Sequence, residues 1–117
     1  MLAGNSFSID GNSLGKSDGL LVFLSEQGNL LNESKFGGKE NDYIYSASIN
    51  GSNEVLLSGQ TYSQDNGIDN YSGNGDGWLL NIDYTGNLIW QDAIGGEEID
   101  DIQTAIISNT GSILTVG

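Results

Sequence analysis

Residues 63–77 read SQDNGIDNYSGNGDG and place Asp65, Asn66, Asp69, Asn70, Asn74 and Asp76 among glycines. Carboxylates and amide carbonyls on a flexible backbone are the oxygen donors that a hard cation such as calcium takes. Asp65, Asp69, Asn74 and Asp76 are therefore a candidate calcium loop. The spacing restrains that reading. No Asp-x-Asp-x-Asp-Gly series leads to a Glu at the twelfth place, and the nonapeptide calcium repeat is not matched in register. The competing reading is an Asx- and Gly-rich loop held by side-chain-to-backbone turns. The equivalent earlier stretch, SIDGNSLGKSDG, keeps Asp10, Asn12 and Asp18 but adds Lys16, which argues against a metal site in every repeat.

A second acidic group, Glu97, Glu98, Asp100 and Asp101, invites comparison with the paired carboxylates of glycoside hydrolysis. That chemistry needs two carboxyl groups at a defined separation beside a sugar. Glu40 and Asp42 hold the matching places earlier in the chain, so a structural role is favoured: Asp42 and Asp100 are expected to cap a turn by accepting backbone N–H bonds. Among the aromatic residues, Tyr71, Tyr84 and Trp78 are the candidate ligand contacts, suited to stacking on a sugar ring, whereas Trp90 in LIWQDAI reads as core. Histidine and cysteine are both absent, which removes the commonest general base, the thiolate nucleophile and the usual transition-metal ligands. The chain is read as non-catalytic.

Composition narrows the partners. Sixteen acidic residues against three lysines give a net charge of −13, which repels a phosphate backbone or an anionic bilayer surface. Nucleic acid is excluded as a partner, and a protein or glycan ligand is retained. No apolar run reaches the roughly 18 residues of a membrane span, so no membrane insertion is expected. The opening MLAGNSFSID carries neither a basic nor an apolar signal region, and an export signal would have to lie upstream.

The elements that must position these residues are announced by a repeat. Residues 28–38 read GNLLNESKFGG and residues 86–96 read GNLIWQDAIGG. Shifted by 58, residues 17–59 fall on 75–117 without a gap, and fifteen of the 43 pairs are identical, among them Asp18/Asp76, Gly28/Gly86, Gly37/Gly95, Asp42/Asp100 and Ala47/Ala105. LAGNSFS at 2–8 also matches LSGQTYS at 57–63. One region, 1–117, thus divides into a unit of about 1–59 and a unit of about 60–117. Each unit carries short apolar runs (WLLNID, LIWQDAI, IQTAIIS, SILTVG) punctuated by Gly and Asn, with no helical period. Four antiparallel strands per unit, in tandem, predict an all-β fold of the β-propeller type with two four-stranded blades. Gly28 and Gly86 are expected at positive φ in hairpin turns, and Ala47 and Ala105 where blades pack closely.

The order DGWLLNIDYTGNLIWQDAIGGEEIDD…GSILTVG resembles the tandem β-propeller repeats of large secreted or surface proteins of Bacteroidetes and related bacteria. The first copy departs from that pattern at Leu20 and Asn32, where the second has Trp78 and Trp90. The resemblance implies a propeller fold and an extracellular or cell-surface location, and no particular activity. Because two blades cannot close a ring of four to eight, the chain is expected to be completed by further blades of a longer chain or by homo-oligomer copies. The function expected is a scaffold, interaction or adhesion module. The alternative is a lectin-like carbohydrate-binding propeller, calcium-assisted.

Overall fold

The computed structural model describes residues 1–6, 15–50 and 52–117; Asp10 and Asn12 lie outside the described residues. Nine strands and no helix occur among the described residues. They are β1 (Leu2–Ser6), β2 (Asp18–Leu24), β3 (Leu30–Phe36), β4 (Asp42–Ile49), β5 (Val55–Thr61), β6 (Asp76–Ile82), β7 (Leu88–Ile94), β8 (Thr104–Ile107) and β9 (Ile113–Val116). They form three antiparallel sheets in the orders β1-β2-β3, β4-β5-β6-β7 and β8-β9. The apolar runs of the sequence all lie in strands, and the Gly- and Asn-bearing stretches between them turn the chain.

The sheets are out of phase with the sequence unit. Four strands per copy were expected; the one four-stranded sheet instead takes β4 and β5 from the first copy and β6 and β7 from the second. A repeat fixes the order of strands but not where one sheet stops. Here the long Asx-rich connection at 62–75 does not end a sheet, because β5 and β6 pair across it along their whole length, from Val55–Ile82 to Thr61–Asp76. The break falls at the Gly-Gly pairs, which carry the chain from β3 to β4 and from β7 to β8.

Pairing register recurs from sheet to sheet. Gly19 faces Phe36 in β2–β3 and Gly77 faces Ile94 in β6–β7. A register shift follows at Phe23/Leu24 and at Asn81/Ile82. Ala47 faces Leu57 in β4–β5 as Ala105 faces Thr115 in β8–β9. Leu2 faces Val22 as Leu57 faces Leu80.

The β2–β3, β4–β5, β6–β7 and β8–β9 hairpins are closed by the same device. The side chains of Ser25, Asn50, Asp83 and Ser108 accept the backbone N–H of Asn29, Glu54, Asn87 and Ser112, four residues on. The residue before each acceptor's partner turns left-handed where the loop demands it: Gly28 at φ 84° and Gly86 at 95°, as expected, and Asn53 at 59° in place of glycine.

The core lies between sheets. Along β5 and β6 alternate residues face opposite sides: Val55, Leu57, Trp78, Leu80 and Ile82 join Leu21, Phe36 and Ile44 in one cluster, and Leu56 and Leu79 join Ile102 and Ala105 in another. Both faces of these two central strands are therefore covered, and all seven residues of each are buried. Each such Leu, Ile or Trp contributes on the order of 2 kcal/mol by leaving water.

The step from one sheet to the next is also repeated. The Asp42 N–H donates to the Ser17 carbonyl at 2.8 Å, and 58 residues further on the Asp100 N–H donates to the Gly75 carbonyl at 2.8 Å. A Cβ on Gly19 would meet Ile44 Cγ1 at 2.6 Å, and one on Gly77 would meet Ile102 Cγ1 at 2.6 Å. Only glycine lets the first strand of the following sheet approach this closely. Ala105 is buried in the second of these interfaces, where β8 runs against β4 and β5.

Candidate functional site

The loop at 62–75 spends its polar groups on structure. Asp65 Oδ1 accepts the Lys39 N–H at 3.0 Å, and Asn66 Nδ2 donates to the Gly37 carbonyl at 2.7 Å, tying the loop to the Gly-Gly connection of the first copy. On its other side, the Asp69 carbonyl accepts the Ala93 N–H at 3.1 Å, Asn70 Nδ2 donates to Asp92 Oδ1 and Gln91 Nε2 donates to the Asn66 carbonyl. Asn74 Nδ2 reaches the Glu97 carbonyl at 3.4 Å. Asn66 and Asn70 hold φ of 58° and 62°, the left-handed turns that Asn tolerates best after glycine. Among the described residues no three Asp, Glu, His or Cys side chains group as metal ligands would, so Asp65, Asp69 and Asp76 do not converge. The loop is a strap that links β7 to the first sheet.

The aromatic candidates part company. Trp78 is fully buried, with its indole N–H donating to Gln91 Oε1 at 3.2 Å, and offers no surface to a ligand. The cause is its position on β6, a central strand covered on both faces. Trp90, read as core, stands instead on the edge strand β7 and is 36% exposed. Tyr71 packs against the core cluster; its burial, reinforced by the Asp76 carboxylate, raises its hydroxyl above the ordinary tyrosine range. Tyr84, at 68% exposure in the β6–β7 turn, lines an open cleft of about 480 Å³ with Phe23, Leu31, Ile49 and Val55. Asn32 Nδ2 donates to the Thr85 carbonyl at 2.5 Å, fixing the turn that carries Tyr84 beside β3. The other cleft residues had no signal of their own in the sequence, since each is one more apolar residue in a strand.

The acidic patch sorts in the same way. Glu97 and Glu98 are exposed, and Asp101 Oδ2 accepts from its neighbour Gln103. Asp42 and Asp100 do cap their turns: the N–H of Gly38 donates to Asp42 Oδ2 at 2.8 Å and that of Gly96 to Asp100 Oδ2 at 2.8 Å.

Asp42 does more than cap. It is fully buried, and its carboxylate also accepts from Thr61 Oγ1 at 2.6 Å, Ser63 Oγ at 2.7 Å and the Tyr62 N–H at 3.3 Å. Next to it comes Asp18: a Cβ on Gly37 would meet Asp42 Oδ2 at 2.7 Å and Asp18 Oδ1 at 3.2 Å. The second copy repeats the arrangement, with Asp100 Oδ2 at 2.7 Å and Asp76 Oδ1 at 2.9 Å from the Cβ position of Gly95. Each copy thus brings two carboxylates, one at the head of β2 or β6 and one just after the Gly-Gly pair, over one glycine. Asp18/Asp76 and Asp42/Asp100 were visible as identical pairs; that they meet was not. Set beside known proteins, the chain matches no family model and no curated protein sequence.

Proposed function

We propose that the chain is a stretch of β-propeller, each sheet a blade or part of one, acting as a non-catalytic scaffold, interaction or adhesion module of an exported bacterial protein. The equal step between successive sheets carries this reading. Asp42 on Ser17 and Asp100 on Gly75 make the same bond, and Ile44 on Gly19 and Ile102 on Gly77 the same contact. An operation that maps the first sheet on the second and the second on the third, applied again, closes into a ring or winds into a helix. Sheets packed face to face with their strands in meander order are the blade arrangement of the ring. The high negative charge fits an exposed setting and a protein or glycan partner.

Small-angle scattering on chains lengthened by copies of residues 60–117 separates ring from helix. A ring keeps a nearly constant maximum dimension as blades are added up to closure. A maximum dimension that rises by an equal increment with every copy means a solenoid and ends the propeller reading.

A second reading, carbohydrate binding, draws on Tyr84. Its exposed ring borders an apolar cleft fixed between two sheets, the setting in which an aromatic side chain stacks on a sugar face. A glycan array with and without calcium tests it: binding lost in Tyr84→Ala supports it, and an array blank under both conditions removes it.

A further inference from the structure

The carboxylate pairs of the two copies differ at their second member: the Asp42 carboxylate accepts four hydrogen bonds and that of Asp100 accepts one, from Gly96. Asp76 is fully buried. Its Oδ2 accepts the Ser72 N–H at 2.6 Å, whereas its Oδ1 has no hydrogen-bond partner. That orphaned oxygen is directed at the space over Gly95, where Asp100 Oδ2 also points. A buried acceptor without a donor is destabilising, more so when charged, and a second carboxylate alongside adds repulsion. All three lysines, Lys16, Lys35 and Lys39, belong to the first copy, and residues 40–117 contain no basic side chain. The glycine keeps the space open, because a Cβ would come within 3 Å of both oxygens.

We infer that a hard divalent cation, calcium by its preference for carboxylate oxygen, binds over Gly95 between Asp76 Oδ1 and Asp100 Oδ2. Water completes its shell on the half-exposed Asp100 side. With two protein carboxylates the site is weak, on the order of 0.1–1 mM, the range of extracellular calcium modules. It shares only Asp76 with the loop set Asp65, Asp69, Asn74 and Asp76, and it does not depend on how many blades the protein has. The first copy needs no cation at Asp42, whose charge already meets four donors.

Isothermal titration of calcium into the metal-free chain, with thermal melts in parallel, tests the site. The expected result is one weak site per chain and a melting temperature about 5 °C higher in 10 mM calcium than in sodium chloride of equal ionic strength. Asp76→Asn abolishes both, and Asp65→Asn and Asp69→Asn leave both intact. Asp100→Asn, at a half-exposed position with one hydrogen bond to its carboxylate, serves should Asp76→Asn not fold; it weakens binding at least tenfold. No heat and no shift in the unaltered chain overturns the inference. So does a response that survives Asp76→Asn, or one lost in Asp65→Asn.

Discussion

Asp42 and Asp100 occupy the same place after the same Gly-Gly pair, yet one is sealed and the other open. Asp42 gathers Gly38, Thr61, Tyr62 and Ser63 on its two oxygens, so that one side chain joins the β3–β4 turn to the far end of β5 and to the strap beyond it. Asp100 keeps the turn bond to Gly96 alone and remains half-exposed. A copied residue keeps its local job, capping a turn four residues back. Its long-range job depends on what the chain delivers to it, here the Thr-x-Ser of β5 and the strap.

The comparison is broken most directly by truncation. Asp42→Ala strands the Gly38 N–H and two hydroxyls in a buried place and costs about 4 kcal/mol, enough to threaten folding of a domain with ordinary marginal stability. Asp100→Ala in metal-free buffer loses one hydrogen bond at a half-exposed site and costs at most about 1 kcal/mol. Urea denaturation of the two variants measures the difference. Equal losses would mean that the four bonds at Asp42 act no more strongly than one.

A smaller effect separates the copies at the head of β2 and β6. Trp78 is fully buried where its counterpart Leu20 is half-exposed. Trp78→Leu makes the second copy read as the first at this position; it leaves a void in the cluster shared with Leu57 and Leu80 and takes the indole donor from Gln91 Oε1. The expected loss is about 2 kcal/mol in the same denaturation experiment. Trp90→Asn, the matching exchange on exposed β7, should change stability by about 0.5 kcal/mol or less.

These residues also mark how far the sequence was legible. Strand positions were readable because Gly and Asn at 28–29, 86–87 and 109–111 interrupt short apolar runs, and Gly28 and Gly86 have the positive φ that such turns require. Which strands share a sheet was not readable, because the break between sheets sits at Gly-Gly while the longest loop lies within a sheet. The fates of Trp78 and Trp90 were hidden for a related reason. DGWLLNI and LIWQDAI are equally apolar, but β6 is central and covered on both faces, whereas β7 is an edge. The carboxylate pairs were present as repeated letters 24 residues apart, and only the pairing of β3 and β7 with their neighbours folds them over one glycine.

The smallest expected difference lies in the hairpin turns, where Ser25 of the first copy stands opposite Asp83 of the second. Both accept the N–H of the residue four on, but Asp83 also takes Thr85 Oγ1 at 2.7 Å, the Thr85 N–H at 2.9 Å and Asn87 Nδ2 at 3.2 Å. Thr85 first, and then the Asn87 N–H, favour the charged form and hold the carboxyl at about 2, below its ordinary 3.8. A carboxyl depressed on folding adds stability that is full above the unfolded value and disappears as pH falls through the folded one. The β6–β7 turn should therefore loosen between about pH 4 and pH 2, and the β2–β3 turn, closed by a neutral serine, should not. Amide chemical shifts read both turns in one acid titration. Thr85 and Asn87 are expected to move with a midpoint near pH 2 while Asn29 stays flat. A midpoint near 3.8 at Asn87 would mean that the turn does not grip the carboxylate, and Asp83→Ser should make the two turns respond alike.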